Sequence, residues 1–118
     1  MSGLRKRLKS FRYAARGLLL LTREPNARIH LVAATLVVAT GLALGIRAAD
    51  WAILTLCIGL VLAAEGLNTA LERLVDLASP DWHPLARDAK DLAAGAVLIT
   101  AIAAAIVGLL IFAPYLVG

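Results

Sequence analysis

Glu65, Asn68, Glu72 and Asp76 follow one another at spacings of three, four and four residues. At about 100° per residue these four side chains fall within a sector of roughly 80° on one face of a helix. Glu65 follows directly on the uncharged run Trp51 to Ala64, so this polar face begins inside a segment apolar enough to be buried in lipid. A charged residue at the centre of a spanning helix costs about 2.5–3.5 kcal/mol on insertion scales, and neighbouring carboxylates also repel one another. Something cationic must offset the ladder: Arg73, Lys90, or an added metal ion. A divalent cation with oxygen-only ligands, as Mg²⁺ prefers, suits a Glu/Asn/Asp set. The competing reading is a solvated helix end held by ion pairs, and Glu65, sitting so close to the apolar run, argues against it.

A second cluster, Arg87, Asp88, Lys90 and Asp91, stands one short loop further on. Alone it would be an interfacial charge band. Facing the ladder, it adds basic groups for phosphates to acids for a metal, which is what phosphoryl transfer needs, because catalysis there is mostly positioning and charge neutralisation. The chain has no Walker glycine-lysine loop, no kinase glycine-rich signature and no dinucleotide fingerprint. Any nucleotide must be held by another device.

The elements that position these residues belong to a membrane protein. Of 118 residues, 61% are hydrophobic and 17% charged, against about 45–50% apolar and 25% charged in a soluble domain. That balance excludes a water-soluble monomer. The net charge is +4 and the pI about 9.8, but only 5% of residues are aromatic and the basic ones flank apolar runs. Anionic lipid fits this pattern and nucleic acid does not. One cysteine, Cys57, lies mid-run, so a disulfide or a cysteine metal site within one chain is excluded.

Residues 1 to 28 hold eight of the twelve Lys and Arg, which predicts a cytoplasmic N-terminus. Leu4, Leu8, Phe11, Ala15 and Leu18 recur among them at helical spacing, predicting an amphipathic surface helix over about 2–22. A signal peptide is excluded because the apolar run Leu18 to Leu21 is about four residues, short of the roughly 7–15 needed. Three spanning helices are expected over about 26–47, 50–78 and 84–113, within a single domain of residues 1–118. Gly41 and Gly45 form a GxxxG spacing that would admit a neighbouring helix, and a simple Ala/Gly-rich lipid-facing helix explains them equally well. Asp50 is expected to cap the second span, with Trp51 and Trp82 as interfacial anchors. Ser79-Pro80 stops the second span, Pro84 opens the third and Pro114 marks its fraying end. His30 is expected as an interfacial histidine and His83 as a loop residue capping the third span; neither has a second ligand spaced for zinc.

The string Glu65-Gly66-Leu67-Asn68-Thr69-Ala70-Leu71-Glu72-Arg73-Leu74-Val75-Asp76 closely resembles the signature of the prokaryotic diacylglycerol kinase and undecaprenol kinase family. Ala89-Lys90-Asp91 resembles that family's element at the start of its third span. The resemblance covers nearly the whole chain. It implies an all-α homotrimeric bundle in the bacterial inner membrane, a surface helix with three spans per subunit, with active sites shared between subunits on the cytoplasmic side. The implied reaction carries the γ-phosphate of ATP to a lipid hydroxyl. By the same resemblance, Glu65 corresponds to the general base and Asn68 to a residue orienting groups beside it. Glu72 and Glu24 correspond to the Mg²⁺ ligands, Lys90 and Asp91 to nucleotide contacts, and Asp76 to a supporting polar residue. Tyr13, Asp81, Trp82 and His83 occupy positions where the family contacts the nucleotide. Arg28-Ile29-His30 is more like the undecaprenol kinase branch, since the diacylglycerol branch commonly carries an acid at His30 and a small polar residue at Ala94. Undecaprenol is therefore the favoured substrate and diacylglycerol the alternative. A small ion channel, or a non-catalytic subunit whose acids pair with a partner helix, would also use such a ladder.

Overall fold

The computed structural model describes residues 2–118. These form four helices, α1 (Ser2–Thr22), α2 (Pro25–Leu44), α3 (Ala48–Ala78) and α4 (Pro84–Val117), with no strand among the described residues. The last three are long and apolar enough to cross a membrane. At 1.5 Å per residue they measure about 30, 46 and 51 Å. The two longer ones therefore exceed a hydrocarbon layer of about 30 Å and carry their charged ends beyond it. α1 buries no residue. Leu4, Leu8, Phe11 and Leu18 are exposed beside its basic side chains, as a helix lying on a bilayer surface requires.

Local chemistry sets the helix ends. Glu24 is the N-cap of α2, without a side-chain cap bond, and Pro25 takes the first helical position, where its missing N–H costs nothing. Arg28 Nε donates to Thr22 O at 2.8 Å, tying α2 back to the end of α1. α2 stops at Leu44, three residues short of the expected boundary, because Gly45 adopts the left-handed conformation at φ 61° and ψ 50°. At α4, His83 is the N-cap and its Nδ1 accepts from the Leu85 N–H at 3.1 Å, as expected of that loop residue.

The structure corrects three expectations at the end of the bundle formed by the α2–α3 turn. Gly41 and Gly45 do not form a helix-docking pair. Gly45 is the cap just described, while Gly41 lies under the Trp51 ring, where a Cβ would meet Trp51 Cη2 at 2.8 Å. Trp51 thus packs inward, beside a cluster of Ile46, Leu54 and Ile111, rather than serving only as an anchor. Asp50 is not the cap of α3, which is Arg47. Asp50 sits inside the first turn, buried, and accepts from Tyr115 Oη at 2.5 Å, with Arg47 Nε 3.7 Å away. The Arg47 N–H donates to the same phenol at 3.0 Å. The Tyr115 hydroxyl first, and the Asp50 carboxylate second, raise the Arg47 guanidinium further above its ordinary pKa. Pro114 does not end α4, which runs on to Val117. A proline so near the terminus withdraws few helical hydrogen bonds, and the Tyr115 contacts fasten the final turn to α3.

The buried residues of α3 are Asp50, Leu54, Val61, Glu65 and Asn68. Their spacings of four, seven, four and three residues place them on one stripe, against which α2 and α4 pack. The opposite faces leave Leu36, Leu42, Leu56, Leu60, Ile99 and Leu109 exposed, an apolar surface suited to lipid or to another subunit.

Gly41→Ala should destabilise the protein by about 1–3 kcal/mol through overpacking against Trp51, read as a lower midpoint in detergent unfolding. Tyr115→Phe should cost about 1–3 kcal/mol by stripping a donor from a buried carboxylate. An unchanged midpoint in either variant contradicts the packing described.

Candidate active site

Distances along α3 decide how each acid meets its surroundings. Counted from Trp51, Glu65 lies about 21 Å along the helix, Glu72 about 31 Å and Asp76 about 37 Å. With Trp51 taken as one boundary of a hydrocarbon layer about 30 Å thick, Glu65 falls within it, Glu72 at its edge and Asp76 beyond it. Burial follows the same order. Glu65 is 2% and Asn68 6% exposed, Glu72 is half-buried and Asp76 is exposed.

Each acid takes a different partner. Glu65 Oε2 lies 3.4 Å from His30 Nε2 on α2, and no other cationic side chain among the described residues reaches it within 4.0 Å. Glu72 Oε1 accepts from Asn68 Nδ2 at 3.2 Å, one turn earlier on α3. Asp76 pairs with Lys90 Nζ across the α3–α4 hairpin. Arg73 Nη2 reaches Glu24 Oε1 at 3.1 Å, joining the α1–α2 junction to the ladder. Of the cations expected to neutralise the ladder, Lys90 serves its outermost acid and Arg73 turns to Glu24 outside it, while the innermost carboxylate lies against a histidine. Sequence reasoning placed His30 at the interface without a role. The signal available was its position as the only ionisable side chain in the otherwise apolar run Ile29 to Ile46.

The hairpin loop forms a small cavity of about 150 Å³, lined by Asp76, Asp81, Trp82, His83, Arg87 and Lys90 among others. Five expected site residues therefore come together there. Asp91 turns instead to Arg87 Nε at 3.3 Å, and Tyr13 is exposed on α1 with no hydrogen bond from its side chain to the cluster. A second hollow, a groove of about 360 Å³ between α2, α3 and α4, is lined by His30, Ala33, Ala34, Val61, Ala104 and Gly108 among others. Small side chains keep it open, and His30 stands at its polar end.

No group of three His, Cys, Asp or Glu side chains among the described residues could hold a metal ion by itself. Mg²⁺ is ordinarily held by one or two carboxylates with substrate phosphates and water completing its shell, and Glu24 and Glu72 are donors of that type. Asn68 Oδ1, next to Glu72, is buried without a hydrogen-bond partner. An unpaired buried acceptor is costly, and this one is suited to a donor or cation arriving with a substrate.

A buried carboxylate on a spanning helix, a groove lined by its histidine contact and a charged cluster at the α3–α4 hairpin are thus set in one three-span bundle. The family model of prokaryotic diacylglycerol kinase matches residues 12–112. The undecaprenol kinase of Bacillus subtilis is 44% identical over 114 residues, spanning 96% of this chain and 93% of that protein. A diacylglycerol kinase of Synechocystis is 45% identical over 113 residues, or 94% of this chain, which spans 65% of that longer protein. A diacylglycerol kinase of Helicobacter pylori is 40% identical over 50 residues, 42% of this chain and 39% of that protein. The chain belongs to the prokaryotic diacylglycerol kinase family. It is an integral membrane lipid kinase, a phosphotransferase, which sets aside the ion-channel and non-catalytic readings.

Because the Arg73 and Lys90 pairs are partly exposed, Arg73→Ala and Lys90→Ala should each change stability by no more than about 1 kcal/mol. Detergent unfolding checks this, and a larger loss would mean that these pairs hold the hairpin together.

Proposed function

We propose that the protein transfers the γ-phosphate of ATP to the hydroxyl of undecaprenol at the cytoplasmic face of the bacterial inner membrane. The observation that carries the reading is the burial of Glu65 part-way along a helix apolar enough to span a membrane, against His30, which lines a groove between the spanning helices. A lipid hydroxyl reaches that depth from the bilayer, whereas a water-soluble acceptor does not. The near full-length similarity to an undecaprenol kinase supports the polyprenol. Diacylglycerol is the second reading, favoured by the similarity to the Synechocystis diacylglycerol kinase over most of this chain. The eight basic residues among positions 1 to 28 support a cytoplasmic N-terminus and active site.

In this mechanism Glu65 takes the proton of the lipid hydroxyl, and the oxygen so activated attacks the γ-phosphorus. The bond from that phosphorus to the β,γ-bridging oxygen breaks, and ADP leaves. Asn68 orients the groups beside Glu65. Lys90 steadies the polyphosphate, with Asp91, Tyr13, Asp81, Trp82 and His83 lining the nucleotide's path and Asp76 holding Lys90 in place. Glu24 and Glu72 would hold Mg²⁺, which when bound neutralises charge on the transferring phosphate. The loop cavity of about 150 Å³ is well below the roughly 300–1,000 Å³ of ordinary ligand sites. One subunit therefore offers only part of a nucleotide site, which supports a homotrimer with sites completed across subunits.

The test offers the purified protein undecaprenol and diacylglycerol separately with γ-labelled Mg·ATP in mixed micelles. Labelled undecaprenyl phosphate is expected. Labelled phosphatidic acid alone transfers the assignment to diacylglycerol, and labelling of neither refutes the reading. Glu65→Gln should lower turnover by at least about 10²-fold, the scale of general-base catalysis, while nucleotide binding persists. Glu72→Gln should raise the Mg²⁺ concentration needed for half-maximal rate; an unchanged metal titration removes Glu72 from the metal site.

A further inference from the structure

Glu65 is the acid that meets the groove through His30, which lines it, and it differs from its neighbours in what holds it. Asp76 has an ammonium, Glu24 and Asp91 have guanidinium groups, and Asp50 has a phenol with Arg47 behind it. Glu65 has an imidazole at 3.4 Å. A permanent cation at that distance would keep a carboxylate ionised and weaken it as a proton acceptor. A neutral imidazole with its proton on Nε2 donates to one carboxylate oxygen and adds no charge. The other oxygen is then left to accept a proton from a substrate.

His30 is also well placed to fix a direction. It is half-buried in the second turn of α2, a helix tied at its start by the Glu24–Arg73 pair and the Arg28–Thr22 bond. The same side chain lines the groove between α2, α3 and α4. The 3.4 Å separation is slightly longer than a formed N–H···O bond of about 2.7–3.2 Å. No other carboxylate among the described residues lies within 4.0 Å of the imidazole. The nearest cation on its own helix, Arg28, is turned away toward Thr22 O.

We infer that His30 is a positioning residue, whose Nε2–H holds the Glu65 carboxylate with its free oxygen toward the head of the groove, where the lipid hydroxyl arrives. The inference rests on the kinase reading above and adds to it the group that aims the base. It requires no further reactant: the lipid proton still passes to Glu65, and His30 keeps its own.

The test measures kcat and both KM values, for undecaprenol and for Mg·ATP, in wild type, His30→Ala and His30→Gln. Glutamine carries an amide N–H at nearly the reach of Nε2. His30→Ala should lower kcat by about 10- to 100-fold, the scale on which misplacement by about 1 Å acts, with both KM values within about threefold, the pattern of a group that serves only the transition state. His30→Gln should recover most of that loss. Should the alanine variant fail to fold, His30→Leu fills the space without a donor and takes its place. The inference is overturned if the donor-free variant keeps kcat within about twofold of wild type, if glutamine is as impaired as alanine, or if lipid KM alone changes. Wild-type protein that phosphorylates no lipid would overturn the kinase reading itself; an active wild type with an indifferent His30→Ala overturns this inference only.

Discussion

Burying a carboxylate some 21 Å along a helix that crosses about 30 Å of hydrocarbon constrains everything else in this protein. Such a group cannot face lipid, so α3 must turn one stripe inward along most of its length. That stripe runs from Asp50 through Leu54 and Val61 to Glu65 and Asn68, and α2 and α4 are placed to cover it. The apolar residues thereby excluded from the interior cover the outer faces, where a bilayer or a second subunit is their natural solvent.

The two ends of the stripe solve the same problem differently. At the Asp50 end the acid is buried, hydrogen-bonded to Tyr115 Oη and backed by Arg47. Those partners fasten the last turn of α4 to the start of α3. At the other end the acids are graded by depth. Asp76 and Glu24 meet flexible, partly exposed Lys90 and Arg73, and such pairs contribute little to stability. Their cations are therefore available to other anions at small cost. Glu65, deepest of these, has no permanent cation, and Asn68 keeps an unpartnered acceptor beside it. The polar site is least satisfied where a proposed substrate would complete it.

Much of this was legible in the residues. The ladder spacing placed Glu65, Asn68, Glu72 and Asp76 on one face, and the charge-free runs located the spans. Ser79-Pro80 and Pro84 located the hairpin, with His83 as its cap. Other features were legible in principle but were read by the wrong rule. Asp50 falls on the same stripe as Glu65, yet its place just before an apolar run suggested a cap. Gly41 and Gly45 matched a docking motif, although one is a left-handed terminus and the other a seat for Trp51. Pro114 looked like a stop because the contacts that hold the final turn of α4 come from Asp50 and Arg47, some 65 residues away in sequence.

The sequence by itself determined an all-helical membrane protein, its hairpin, the face that carries the acids and the family to which it belongs. The first three follow from local rules, namely periodicity, apolar run length and the backbone preferences of proline, and the family follows from the resemblance of the Glu65 to Asp76 and Ala89 to Asp91 strings to its signature. Only the tertiary structure decided which cation serves which acid, because pairing depends on how α2 and α4 cross α3 and no spacing rule spans separate helices. Arg73 went to Glu24, Lys90 to Asp76 and His30 to Glu65. Of these, the pairing of His30 with Glu65 rests wholly on the packing of α2 against α3, two elements whose paired residues lie far apart in the chain.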